Sequence, residues 1–171
     1  MPRYVAFLRG VSPMNAKMAA LKACFERAGY TSVKTVLSSG NVAFDSERRS
    51  PAALVTGIEA AMKKELGRSF STLVRPQTLL QQLVESDPFA RHRVPAGAKR
   101  VVTFLRAPLK ERLTLPIDFE GATILAADGS EIFTAYTPSP KGPMFMTLIE
   151  KTFGKDVTTR TWETVRKCAR A

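Results

Sequence analysis

The chain has 171 residues, 44% of them apolar, and its 26 Lys and Arg against 15 Asp and Glu leave a formal net charge of +11. That apolar fraction is ample for a buried interior, which argues against disorder. Two cysteines, Cys24 and Cys168, are too few for a disulfide framework, and no window approaches the roughly 20 apolar residues that a membrane-spanning helix needs, so a soluble protein of the reducing cytoplasm, without a membrane partner, is expected.

Residues 3–9, Arg-Tyr-Val-Ala-Phe-Leu-Arg, read as a strand buried on both faces. Asn15 is a good helix N-cap, and Met18, Leu21, Cys24, Phe25 and Ala28 follow at helical spacing before Gly29 stops the helix. Val33–Ser38 and Asn41–Asp45 flank a two-residue Ser39-Gly40 turn, which predicts a hairpin. Ser50-Pro51 opens a second helix with Leu54, Ile58, Ala61 and Leu66 as its buried stripe and Gly67 at its end. Residues 69–75 complete a fourth strand, and a short helix over 78–85 follows. The order β-α-β-β-α-β is ferredoxin-like.

Residues 87–98 contain two Pro and one Gly and break both periodicities, marking a connector. Beyond it the pattern returns. Arg100–Arg106 matches Arg3–Arg9 at five of seven positions. A second hairpin is expected from 123–127 and 131–136 around an Asp128-Gly129 turn. Residues 109–119, interrupted by Pro116, make a poor helix; a better one spans 145–153, and a strand at 156–159 and a helix from Trp162 follow. The expectation is an α+β protein of two tandem ferredoxin-like halves with antiparallel or mixed sheets. Residues 1–86 form the first half, 87–99 the connector, and 100–171 a second, degenerate half with a C-terminal helix.

Residue types and spacing assign no catalytic residue, cofactor or metal. His92 is the only histidine, sits in the basic connector without an orienting partner, and reads as a solvated linker residue. Trp162 with Val165 and Ala169 reads as core, and nothing matches a phosphate loop or a dinucleotide fingerprint. The positive charge is spread in short clusters (Arg48-Arg49, Lys63-Lys64, Arg91-His92-Arg93, Lys99-Arg100, Arg166-Lys167), which attract phosphate-rich partners without defining a patch.

Topology supplies one constellation. In a β-α-β-β unit the first two strands are parallel, so one sheet edge gathers the first strand's exit, the first helix's start and the hairpin turn. In the first half these bring Arg9, Gly10, Ser12, Asn15 and Lys17 to Ser38, Ser39, Gly40 and Asn41. Helix N-terminal amides, cations and hydroxyls suit an anion such as phosphate or carboxylate. The candidate ligand-binding residues are therefore Arg9, Ser12, Asn15, Lys17, Ser38, Ser39 and Asn41. The expected function is a non-catalytic binding module for nucleic acid or a phosphorylated small molecule. The alternatives are an enzyme with scattered polar site residues, acting on a small organic substrate, and a protein-interaction or oligomerisation module. Aromatics at Tyr4, Phe7 and Phe44 also invite comparison with RNA-recognition sheets, although the basic-glycine-aromatic signature is missing.

The runs Arg3–Gly10, Leu37–Phe44 and Thr158–Val165 together resemble the family called domain of unknown function 1697, over nearly the whole chain. The resemblance implies a bacterial-type cytosolic α+β protein with ferredoxin-like repeats and brings no activity, cofactor or catalytic residue. The chain departs from the family pattern in carrying Val11-Ser12-Pro13-Met14-Asn15 where members have a glycine-rich stretch.

Overall fold

A computed structural model describes residues 1–48 and 50–171, so Arg49 of the Arg48-Arg49 cluster lies outside the described residues. The fold is mixed α+β, with two antiparallel sheets and five helices among the described residues. Two compact units divide it: Met1–Val84 with Arg166–Ala171, and Glu85–Val165.

In the first unit β1 (Arg3–Leu8), α1 (Met18–Arg27), β2 (Thr31–Val36), β3 (Asn41–Asp45), α2 (Pro51–Leu66), β4 (Thr72–Pro76) and α3 (Gln77–Ser86) follow in turn. The sheet order is β2-β3-β1-β4, every pair antiparallel. β1 is buried on both faces, as its unbroken apolar run requires. Tyr4, Ala6, Leu8, Val42 and Phe44 face Leu21, Cys24 and Phe25 of α1 and Leu54, Ile58 and Met62 of α2 in one core. Phe44 is its aromatic hub, 4.8 Å from Tyr30, 5.6 Å from Phe25 and 5.9 Å from Tyr4 between ring centres. Helix α2 starts and stops as its sequence dictates: Ser50 Oγ accepts from the Ala53 amide at 3.3 Å, and Gly67 closes the helix in the left-handed conformation.

Three first-unit details differ from expectation. Asn15 does not cap α1, because its side chain is engaged within its own loop; α1 begins at Met18, with Lys17 at the cap and no side-chain cap bond. The hairpin turn is four residues, Leu37–Gly40, since Val36 pairs with Asn41. Met62, four residues after Ile58, is fully buried in the α2 stripe, while Ala61 and Leu66 are only partly so.

The residues Arg166–Ala171 complete this unit. Gln77 donates from Nε2 to the Cys168 and Ala171 oxygens (3.1 and 2.8 Å), Gln81 to the Ala169 carbonyl (3.2 Å), and Arg3 Nε to the Ala171 oxygen (3.1 Å). These bonds satisfy carbonyls that the end of a helix otherwise leaves open.

The second unit runs β5 (Lys99–Leu105), β6 (Ile117–Phe119), β7 (Ala122–Asp128), β8 (Glu131–Tyr136), α4 (Met144–Phe153), β9 (Val157–Thr161) and the start of α5 (Trp162–Arg170). Its sheet order is β6-β7-β8-β5-β9, again wholly antiparallel. The poor helix expected over 109–119 does not form. An irregular stretch ends in β6, which pairs with β7. The hairpin turn is Gly129-Ser130, because Asp128 still pairs with Glu131. Residues 87–98 are folded onto this unit: Phe89 is buried edge-on against Phe133 (5.8 Å) and Trp162 (5.1 Å). Thr161 Oγ1 accepts from the Thr164 amide at 3.2 Å and so caps the start of α5.

Candidate functional site

Both β1 and β2 run antiparallel to β3, so they are parallel to each other and end on one edge, as the topological argument requires. The Leu8 amide donates to the Gly40 carbonyl at 2.7 Å, which draws the hairpin turn against the exit of β1. Gly40 has φ +87°, and a Cβ there would meet the Leu8 carbonyl and Val11 Cβ at 2.9 Å. Only glycine fits both the conformation and the space.

The predicted residues separate into two groups. Asn15 Oδ1 accepts from the Ser12 amide (2.9 Å), Asn15 Nδ2 donates to the Gly10 carbonyl (2.8 Å), and Ser12 Oγ accepts from the Met14 amide (3.3 Å). Asn41 is fully buried and donates from Nδ2 to the Val36 carbonyl (2.9 Å) and Ser39 Oγ (3.0 Å). Ser12, Asn15, Ser39 and Asn41 thus hold the two loops in shape. Arg9, Lys17 and Ser38 are exposed along the same edge, beside the first turn of α1, which no side chain caps. Met14 and Leu37, 94% and 48% exposed, add large apolar side chains to it.

The second unit repeats the framework with different chemistry. Leu105 donates to the Ser130 carbonyl at 2.8 Å, as Leu8 does to Gly40. Arg106, in the place of Arg9, is held by both oxygens of Asp156 at 2.8 and 3.1 Å. The register puts Ser71 where the second unit has Asp156, and there the Ser71 carbonyl accepts from the Arg9 amide at 2.9 Å.

Tyr4, Phe7 and Phe44 are all buried, which corrects the comparison with RNA-recognition sheets: none can stack a base. Burial, reinforced by the charge of Glu65, pushes the Cys24 thiol above its ordinary 9.0, and burial raises Tyr30 above 10.0. Both therefore stay protonated and poorly nucleophilic near neutral pH. Among the described residues no group of three or more His, Cys, Asp or Glu could hold a metal ion, and no helix is long and apolar enough to cross a membrane.

Residues 1–133 match the family described as "Protein of unknown function (DUF1697)". The chain belongs to that family. Among solved structures it is similar to the conserved bacterial protein SP0830 from Streptococcus pneumoniae, at 21% identity and a TM-score of 0.74, covering 99% of this chain and 97% of that one. At that identity the likeness concerns the fold. No curated protein matches the chain.

His92 and Arg93 line a cavity of about 310 Å³ in the second unit, together with Asp118 and Thr123. The lining comes from residues 92–98, 116–125 and 135–137, so no local spacing could have gathered it.

Proposed function

We propose that the protein is a non-catalytic binding module for an anionic partner, a nucleic acid or a phosphorylated small molecule, centred on the edge that carries Arg9, Lys17 and Ser38. The carrying observation is the division of labour there. Ser12, Asn15, Ser39 and Asn41 fix the loops through their own hydrogen bonds, while the cations and Ser38 stay exposed beside uncapped helix amides. The formal charge of +11 adds a long-range attraction for such partners. The same reading takes the two units as ferredoxin-like halves, 1–86 and 100–171 joined by 87–99. Their shared antiparallel order (β2-β3-β1-β4 beside β7-β8-β5-β9) supports it. A reducing cytoplasmic setting fits two buried cysteines, Cys24 and Cys168, that form no disulfide among the described residues.

The test is a fluorescence-anisotropy titration with labelled single-stranded RNA and DNA, and a parallel one with nucleotides, at low and moderate salt. Binding should weaken with salt, and Lys17→Gln should reduce the salt slope by about 0.7 for a single strand. Absence of binding at low ionic strength, or binding unaltered in an Arg9→Gln/Lys17→Gln double variant, would overturn the reading. A second reading, contact with another protein, draws on Met14 and Leu37 at the same edge; a Met14→Ser/Leu37→Ser variant that loses self-association in sedimentation would favour it.

A further inference from the structure

We propose that the cavity of about 310 Å³ in the second unit binds a small organic anion that carries an apolar body and a hydrogen-bond donor. The volume is at the lower end of the range for small-molecule sites, about 300–1,000 Å³. Both walls are built independently of any ligand. On one side, Phe89 is locked between Phe133 and Trp162, and the Arg100 guanidinium lies 5.8 Å from the Phe89 ring centre. The Asp87 carboxylate accepts from the Phe89 amide at 3.2 Å and the Phe89 carbonyl from the His92 amide at 3.1 Å. The segment bearing His92 and Arg93 is therefore anchored.

On the other side, β6 and β7 join through Glu120 and Gly121, both with positive φ (48° and 84°), as the tightest hairpin turn demands. The Thr137 amide donates to the Gly121 carbonyl at 3.0 Å and pins the turn to the end of β8. Across that pair Thr123 Oγ1 donates to Asp118 Oδ1 at 2.6 Å, which fixes the carboxylate.

What these walls leave open defines the ligand. The His92 imidazole, the Arg93 guanidinium and Asp118 Oδ2 have no hydrogen-bond partner among the described residues. Arginine offers a planar fork matched to carboxylate or phosphate, and the imidazole adds a donor beside it. Asp118, on β6, offers an acceptor suited to a hydroxyl or ammonium. Pro116, Leu125 and Ala135 supply apolar surface. An anionic group at one end, a donor at the other and a flat apolar body between them complement this arrangement.

The experiment is a titration of the full-length chain, followed by ¹H–¹⁵N correlation spectra, with 4-hydroxybenzoate, benzoate and phenyl phosphate up to about 10 mM, the range that detects a millimolar dissociation constant. Saturable shifts are expected at the Gly121, Thr123 and Thr137 amides. Arg93→Gln should weaken every probe that binds by about tenfold or more. Asp118→Asn should weaken 4-hydroxybenzoate and leave benzoate unchanged. Both residues are exposed, so the variants should keep the wild-type spectrum elsewhere. Tighter binding of phenyl phosphate would identify phosphate rather than carboxylate as the anion. Absence of saturable shifts with all three probes, or wild-type affinity in Arg93→Gln, overturns the proposal, and an equal loss for benzoate in Asp118→Asn overturns its hydrogen-bond-donor half. The Arg9→Gln/Lys17→Gln variant should leave these titrations untouched, which separates this site from the first-unit edge.

Discussion

The two units share a strand order and a register but differ in what fills the first crossover. In the first, α1 occupies it, and Tyr4, Phe25, Tyr30 and Phe44 close an aromatic core beneath. In the second, an irregular stretch and the short strand β6 take that place, and α4 packs on the sheet through Leu148 and Ile149. Where the first unit pairs Tyr4 with Phe44, the second pairs Val101 with Thr134. The lesson is that the same antiparallel strand order is compatible with a helix in one crossover and with an irregular stretch and an added edge strand in the other. The irregular stretch and β6–β7 also supply Pro116, Asp118 and Gly121 to the cavity of the second unit.

Substitutions in the two units sharpen or break this contrast. The largest effect is expected for Phe44→Ala, which removes the hub of the aromatic core and should cost about 3–5 kcal/mol in urea unfolding. The hairpin turns come next. Gly40→Ala brings a Cβ to within 2.9 Å of the Leu8 carbonyl at a positive φ and should cost about 2–4 kcal/mol. Gly129→Ala, with open space around it, should cost only about 1–2 kcal/mol from backbone strain alone. Equal losses at the two turns would mean that the close approach in the first unit contributes nothing.

Thr134, the counterpart of Phe44, carries a buried hydroxyl with no hydrogen-bond partner among the described residues. Thr134→Val should therefore stabilise the protein, by about 1 kcal/mol, and a loss would show that the hydroxyl is satisfied. Asp156→Asn breaks an exposed ion pair and should change stability by about 1 kcal/mol or less. A raised thiol in the first unit sets one pH trend. Because Cys24 holds its proton more tightly folded than unfolded, its contribution is fully present below pH 9.0 and is lost as pH rises above it. The urea midpoint should fall between pH 9 and 10, and this decline should lessen in Cys24→Ala.

Sequence patterning predicted most strands and helices because burial on one or both faces leaves a periodic trace, as in Arg3–Leu8 and the stripe of α2. It misplaced the start of α1 because an asparagine that caps a helix and one that closes its own loop look alike along the chain. Only the pairing of Asn15 with Gly10 and Ser12 distinguishes them. Both hairpin turns shifted by a residue or more, since the register depends on cross-strand partners. The edge residues were legible as a group because topology alone gathers them. The lining of the second-unit cavity was not, because it depends on a connector anchored by Phe89 and on β6, which forms within the stretch expected to be a poor helix.

The bonds from Gln77 to the Cys168 and Ala171 oxygens span 91 and 94 residues of chain, and that from Arg3 spans 168. During synthesis at about 5–20 residues per second, the nascent first unit must wait roughly 5–20 s after Gln77 is made before those partners exist. Vectorial folding cannot finish it first. Its completion is tied to the emergence of the whole intervening unit, and until then the polar ends of α3 are open to whatever the ribosome exit or a chaperone presents.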